Sequence, residues 1–506
     1  MRIRVITAVY FLFFAVLFTG LVQLQFVRGS YFSSLAEKNR IRLVPIPAAR
    51  GPIRDRNGEV LADTRASYDV YSIPEEVTPE SRSRLLPILG PSAAEEMERA
   101  GRESPLLPVR LARDVTKEQV IRLEEQRLDL KGVWVESVPI RFYPQGAVGV
   151  HVVGYVGLVA EHREALETFY GVHTDLPEGV MGVEEGLNDR LTGVMGGEEL
   201  EVDNRGRRQR LLGIRVPQQG DEVQLTLDLE LERLAQALLA GFRGAIVVMD
   251  PRDGAVLALA SSPAYDPNVF VEPSRGALRA GLLNNPERPL FNRATMGEYP
   301  PGSTFKMITA AAALAAQMDP SRTYHCSGSF RLGNTQFGCW KEGGHGDVDL
   351  LEALTVSCNN YFYNLGLALG PDRLSQGALA FGLSQPTGIL LGKEAKGLVP
   401  SKRWKKSALN QPWYDGETAH FAIGQGYIAV TPIQVARFVS CFANGGYLVS
   451  PYVVKGSSEK PRPISLDPAA IRTVRKGLFR VVNDPSGTGK NAHVEGLAIS
   501  GKTGTA

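Results

Sequence analysis

The hydrophobic pattern is densest at the start of the chain. Val5 to Leu24 is almost wholly apolar and carries no charge. A helix of that length crosses the hydrocarbon layer of a bilayer. Arg2 and Arg4 precede it, which keeps the N-terminus cytoplasmic. A cleaved signal peptide is the rival reading. No small-x-small cleavage site follows, and Leu21 to Phe26 is bulky, so the run reads as an uncleaved anchor. Without a cysteine near the N-terminus, a lipid tail does not replace it. Everything after about Gln25 then lies outside the cytoplasmic membrane.

Beyond the anchor the pattern alternates between elements. Tyr31 to Arg40 predicts a short polar helix. Arg50-Gly-Pro-Ile-Arg-Asp-Arg-Asn-Gly-Glu-Val-Leu-Ala62 predicts a hairpin turning at Asp55 to Gly58. Residues 78–130 carry helical charge patterning, clearest at Lys117 to Leu128. Val133 to Tyr143 and Val150 to Leu158 predict strands. Glu198 to Val202 and Arg210 to Val216 predict a strand pair around Asn204-Arg205-Gly206. This mixed region reads as an extended, non-catalytic spacer.

A boundary falls near Pro217 to Asp221. Val223 to Leu227 then predicts a strand, Leu229 to Leu239 an amphipathic helix, and Ala245 to Asp250 and Ala255 to Ala260 two strands about the turn Pro251 to Gly254. A helical region follows, with helices over Met307 to Ala316, Leu350 to Thr355 and Tyr361 to Leu369, and a late strand, Leu497 to Ser500. Strands, then helices, then a strand imply an α+β fold with helices packed on an antiparallel sheet. The implied division is a tail over 1–4, a transmembrane helix over 5–24, a pedestal-like spacer over 25–216 and a second domain over 217–506.

Composition adds limits. The 506 residues suit two to four domains, and 43% hydrophobic residues supply their cores. A net charge of +2 gives no support to a nucleic-acid partner.

Chemistry enters at Tyr299-Pro-Pro-Gly-Ser-Thr-Phe-Lys306, which opens an apolar helical run. Ser303 and Lys306, three residues apart, share one helix face near its N-terminus. A lysine held neutral by burial and a nearby cation can take the proton of a serine alcohol. Ser-x-x-Lys alone occurs by chance about once in such a chain. Ser457-Ser-Glu-Lys460 fits it too, but sits in the polar stretch Gly456 to Arg462, an exposed loop. Two further motifs separate Ser303 from that decoy. In Ser357-Cys358-Asn359, a hydroxyl and an amide point the same way from a short loop. In Lys502-Thr503-Gly504-Thr505, glycine admits a close backbone and Lys502 and Thr503 suit a carboxylate. Singly, each is more often a cap or a turn.

The ordered set Ser-x-x-Lys, Ser-x-Asn, Lys-Thr-Gly is similar to that of penicillin-binding proteins and related β-lactamases. The anchor, Arg50-Gly-Pro-Ile-Arg-Asp, Asn204-Arg205-Gly206-Arg207 and Ile423-Gly-Gln-Gly-Tyr427 with Thr431-Pro432 extend the resemblance over the chain, to a class B penicillin-binding protein. Gly344-His-Gly346, Tyr361-Phe-Tyr363 and Gly416-Glu417 lean toward the cell-elongation type.

The resemblance implies a bitopic inner-membrane D,D-transpeptidase whose substrates are peptidoglycan stem peptides ending in D-Ala-D-Ala. Ser303 would form the acyl-enzyme, Lys306 act as base, Ser357 relay a proton, Asn359 hold substrate amide, and Lys502, Thr503, Gly504 and Thr505 bind substrate. Backbone N–H groups of Ser303 and Thr505 would make the oxyanion hole. β-Lactams would acylate Ser303. A pedestal without glycosyltransferase motifs implies a membrane glycan-polymerising glycosyltransferase and other elongation-complex proteins as partners. The family fold continues past the third motif, so Ala506 is expected to end a truncated sequence. The rivals are a division-specific paralogue, a serine β-lactamase, and a catalytically dead β-lactam-binding scaffold or sensor.

The four cysteines lie outside the cytoplasm by this topology. Cys326, Cys339, His345 and Cys358 fall in one short stretch, the last inside the second motif. Three thiolates and an imidazole make a closed structural zinc site, which would pin the second-motif loop. Some elongation-type members are similar in having a metal site at this place, with Asp replacing some Cys. A Cys326–Cys339 disulfide is the other reading, and His325 a substitute ligand. Cys441 reads as a buried apolar residue. The remaining histidines are expected to lack an acid partner, so a Ser-His-Asp triad has no support.

Overall fold

The computed structural model describes residues 2–33, 41–103, 105, 108–157, 177–203 and 208–505. Helix α1 (Arg2–Val22) runs on into a π-helical turn, Gln23–Val27. Within it Val5–Val27 is apolar enough to cross a membrane, and none of it packs against the rest of the chain. A helix pairs its own backbone polar groups, and the side chains of this one face outward, as a lipid-facing span requires. Residues 29–33 are helical, and the rest of the polar helix expected over 31–40 lies outside the described residues.

The pedestal holds two sheets. In one, β1 (Ile41–Ile46) pairs with β8 (Gly196–Val202), which pairs with β9 (Arg208–Arg215), all antiparallel. The expected strand pair is therefore present, and its turn at 204–207 lies outside the described residues. In the other, the hairpin β2 (Ile53–Arg54) and β3 (Val60–Ser72) is flanked by β4 (Val109–Ala112) and β5 (Val133–Phe142). Helices α2 (Pro79–Leu89), α3 (Pro91–Glu103) and α4 (Lys117–Glu125) lie beside it. Local sequence starts them: Thr78 accepts from the Ser81 N–H ahead of Pro79, and Thr116 and Gln119 form a capping box. Leu85, Ala93, Met97, Leu111 and Leu123 form the small core between.

The strand expected over 150–158 is mostly absent. Val150–Val153 forms a short buried helix, α5; among the described residues of that stretch only Val156–Gly157 is a strand (β6), paired with β7 (Glu178–Gly179), and residue 158 lies outside them. A continuous apolar run does not distinguish a buried helical turn from a buried strand, and here tertiary packing decided.

The hairpin has a second task. Glu184, on the short helix α6 (Gly182–Gly186), is fully buried between Arg50 Nε and Arg141 Nε, each 2.6 Å from its carboxylate. Asp55 accepts the N–H groups of Asn57 and Glu59 and also that of Leu229. The predicted strand over 223–227 shrinks to β10 (Val223–Gln224), parallel to β2, while Leu225 bridges to Val454. The linker thus crosses from the pedestal sheet into the second half of the chain with its backbone hydrogen bonds filled.

There, helix α7 (Leu229–Leu238) covers the antiparallel pair β11 (Gly244–Met249) and β12 (Val256–Ser262). The largest core surrounds α8 (Lys306–Ala315), whose residues from Lys306 to Ala313 are all buried. Fully burying Met307 and Ile308 is worth about 1.5–3 kcal/mol each. Around it stand α9 (Leu350–Thr355), α10 (Asn359–Leu369), α11 (Pro371–Ala380), α12 (Asp415–Ala422), α13 (Pro432–Ala443) and α14 (Pro468–Asn483). The late strand at 497–500 does not form. A strand needs a neighbour, and this segment instead bonds to α14, with Gly501 N–H donating to Leu478 O and Asn483 Nδ2 to Ile499 O.

Candidate active site

Ser303 sits in a 3-10 turn, Gly302–Phe305, that leads into α8. Residues i and i+3 eclipse in a 3-10 turn, so Ser303 and Lys306 still share a face although the regular helix begins at Lys306. Three backbones meet beside Ser303. Gly302 has φ +54 and donates its N–H to Gly424 O at 2.9 Å. A Cβ on Gly302 would stand 2.3 Å from Thr505 O. Only glycine lets the first and third motifs approach this closely.

Lys306 is fully buried. Its Nζ donates to Ser357 O at 2.8 Å and Asn359 Oδ1 at 2.7 Å, and lies 3.2 Å from Ser357 Oγ. Burial, and then the Lys502 charge, push its pKa down to about 7. A neutral amine keeps the two shorter bonds and frees its lone pair to accept a proton. Lys502 Nζ donates to Ser357 Oγ at 2.8 Å and to Thr503 O at 2.9 Å, and burial lowers its pKa to about 7 as well. The Ser357 hydroxyl therefore stands between two lysines. Ser357 itself adopts φ +53, a left-handed backbone costly for a residue with a Cβ.

The structure brings Lys306, Ser357, Asn359 and Lys502 into direct contact, and Ser303 onto the same turn as Lys306. Thr503, Gly504 and Thr505 lie exposed along one edge. Two supports had no signal in the sequence. Gly338 O, on the hairpin β14 (Ser329–Leu332) and β15 (Thr335–Gly338), accepts from Asn359 Nδ2 at 3.2 Å and Tyr363 Oη at 3.1 Å. Trp340 Nε1 donates to Val356 O at 2.9 Å. Carbonyl contacts and indole donors leave no residue-type pattern to read. The decoy Ser457 lies in an exposed stretch, as expected.

Behind the second motif, the ligand atoms of Cys326, Cys339, His345 and Cys358 lie within 4.8 Å of one another. All four cysteines are free thiols, so the Cys326–Cys339 disulfide is not formed. β13 (Tyr324–Cys326) and β16 (Gly346–Val348) form the ladder beside the cluster, and His345 N–H donates to Cys326 O. His345 Nδ1 lies 3.5 Å from both Cys326 Sγ and Cys339 Sγ. A sulfur at about 2.3 Å and a nitrogen at about 2.0 Å on a tetrahedral zinc ion stand about 3.5 Å apart, so the donor set fits that ion. Burial lowers the His345 pKa, favouring the neutral ligand form. A hydrogen bond from Cys358 pushes the Cys339 thiol down. His345 Nε2 is buried and has no hydrogen-bond partner among the described residues. His325 is not in the cluster. Its Nδ1 pairs with Asp347 Oδ1 at 2.8 Å, correcting the expectation that the other histidines lack an acid. Neighbouring strand positions, His325 opposite Asp347, create that pair, which spacing along the chain does not reveal. Cys441 is buried, as expected of an apolar residue.

Comparison with known proteins follows the same two halves. Residues 244–506 match the penicillin binding protein transpeptidase domain, and residues 45–225 the penicillin-binding protein dimerisation domain. The chain is 35% identical to the peptidoglycan D,D-transpeptidase MrdA of Haemophilus influenzae, over 97% of this chain and 79% of that one. Among solved structures it resembles the complex between penicillin-binding protein 2 and MreC from Helicobacter pylori, with TM-score 0.78, 26% identity, and 92% and 89% of the two chains covered. It also resembles a chain from a structure on the coordination of polymerization and crosslinking by a peptidoglycan synthase complex, with TM-score 0.72, 32% identity, and 99% and 88% covered.

Proposed function

The chain belongs to the class B penicillin-binding proteins of the elongation type, and on that premise we propose that its chemistry runs through Ser303, Lys306, Ser357, Asn359 and Lys502. The protein is a peptidoglycan D,D-transpeptidase that cross-links stem peptides through a serine acyl-enzyme during cell elongation, and β-lactams inhibit it.

Neutral Lys306 takes the Ser303 proton as Oγ attacks the carbonyl of the penultimate D-alanine. The oxyanion is held by the N–H groups of Ser303 and Thr505. The C–N bond breaks, and the departing D-alanine amine receives its proton through Ser357, which Lys502 polarises. An amine from a second stem peptide then attacks the ester, its proton returns by the same route, and Ser303 is released. Thr503 holds the substrate carboxylate, with Gly504 beside it. The observation that carries this reading is the placement of Ser357 Oγ between Lys306 and Lys502. Labelling with a fluorescent penicillin tests it: wild type takes label and Ser303→Ala does not, whereas equal labelling of both rejects the assignment.

A zinc ion held by Cys326, Cys339, His345 and Cys358 serves a structural role in this reading. It supplies no reaction step; it fixes Cys358, and so the loop that carries Ser357 and Asn359. The anchor crosses the inner membrane once, with the catalytic domain outside. The partners are a membrane glycan polymerase and elongation-complex proteins, in line with the MreC complex of the Helicobacter pylori relative.

A further inference from the structure

Thr488 belongs to none of the three motifs, yet it touches two of the segments that carry them. Its Oγ1 lies 2.8 Å from Thr503 Oγ1. Its main-chain N–H donates to the carbonyl of Thr355, the last residue of α9, at 3.3 Å. Ser357 follows two residues later.

Both ends of the threonine pair are referenced to one helix. Gly489 N–H donates to Val481 O at 2.9 Å, and a Cβ on Gly487 would stand 2.3 Å from that same carbonyl oxygen. The loop carrying Thr488 is therefore seated on the last turns of α14. The third-motif segment is seated there too, through Gly501 N–H to Leu478 O and Asn483 Nδ2 to Ile499 O. Lys502 Nζ fixes the Thr503 carbonyl on the other side. The contact is thus set by the scaffold rather than by two free rotors.

A threonine hydroxyl has one proton and two lone pairs. If Thr503 gives its proton to a substrate carboxylate, the bond between the two hydroxyls must run the other way, with Thr488 as donor. We propose that Thr488 is a positioning residue for the substrate carboxylate: it donates to Thr503 Oγ1 and so directs the Thr503 proton into the groove. The inference rests on the carboxylate-binding role given to Thr503 above. The ligand chemistry is a carboxylate adjoining the scissile amide, whether the C-terminus of a stem peptide or the ring acid of a penicillin. Two hydroxyls in series also polarise one another, which strengthens the terminal bond.

The test measures acylation of the full chain by benzylpenicillin and by its methyl ester, which lacks the carboxylate, for wild type, T488V, T488S and T503V. T488V is expected to slow acylation by the acid about tenfold, the scale of one hydrogen bond to a charged group. The ester rate should move far less, and T488S should recover most of the loss. On the T503V background, adding T488V should change little. Equal slowing on acid and ester would mark a packing role and overturn the proposal, as would an unchanged acid rate. If T488V shows no cooperative melt, T488A is read on the same two compounds. A wild type that takes no label, or does not distinguish acid from ester, overturns the reading of the site beneath it and is told apart by occurring before any Thr488 change.

Discussion

Lys502 Nζ stands 2.8 Å from Ser357 Oγ across 145 residues of chain, and Lys306 Nζ approaches that same oxygen at 3.2 Å. One hydroxyl therefore joins two lysine amines whose pKa values burial has brought down to about 7. Two coupled sites lose their protons in two macroscopic steps. In the proposed mechanism the competent form is the singly protonated pair, with Lys306 neutral and Lys502 charged. Acylation of Ser303 should rise with pH below 7, peak, and fall as Lys502 discharges. Stopped-flow rates with a fluorescent penicillin between pH 5 and 9 would show the bell; a flat profile contradicts it. Stability moves too. In the unfolded chain lysine keeps its proton to about pH 10.4, so between about 7 and 10 the unfolded state binds more protons, and these two groups make folding more favourable as pH rises.

Gly302→Ala should cost both activity and stability. The added Cβ would meet Thr505 O at 2.3 Å, and φ +54 disfavours alanine. The backbone penalty alone is about 1–2 kcal/mol. The third motif must move away from Ser303 to relieve the clash. Penicillin acylation should fall by at least about tenfold, and thermal unfolding should shift downward.

Metal content gives a separate check. Purified protein should carry one zinc per chain by elemental analysis. A thiol reagent should reach few of the four free thiols in the native state and all four after chelation and denaturation. Cys358→Ser should lower the zinc content and slow acylation, because the changed residue lies between Ser357 and Asn359. Protein without zinc, and with two thiols lost to a disulfide, would exclude the site.

Glu184→Gln should destabilise the pedestal strongly. The substitution keeps the shape and leaves Arg50 and Arg141 buried without a counter-charge. Breaking such a pair costs about 3–5 kcal/mol. The melting temperature should drop clearly, measured by calorimetry; an unchanged transition would contradict the stabilising role given to the pair.

Motif order exposed the proposed catalytic residues because the chemistry restricts residue type: two alcohols, two amines and an amide, with fixed offsets within the first and second motifs. Helix α8 was legible because Met307 to Ala316 is apolar but for Thr309. What the sequence hid were interactions that any residue can make. The carbonyls of Gly338 and Val356 hold Asn359 and Trp340 without a residue-type signal. The Val150–Val153 turn reads equally as a strand, since all four side chains are buried either way. The segment before Lys502 has strand-like composition, but composition does not supply a neighbour to pair with. His325 and Asp347 meet only because β13 and β16 align them.

The crossing of the linker bears on how the chain is made. Arg54 meets Glu222 across 168 residues, and Thr226 Oγ1 meets Tyr452 O across 226. A chain synthesised from its N-terminus exposes β2 long before its parallel neighbour emerges. Thr226 in turn waits for almost the whole second half. Each seam is therefore closed by residues of its own half: Arg54 waits for Glu222 on the pedestal side, and Thr226 for Tyr452 on the catalytic side, so the first half holds every partner of its own seam before most of the second is made.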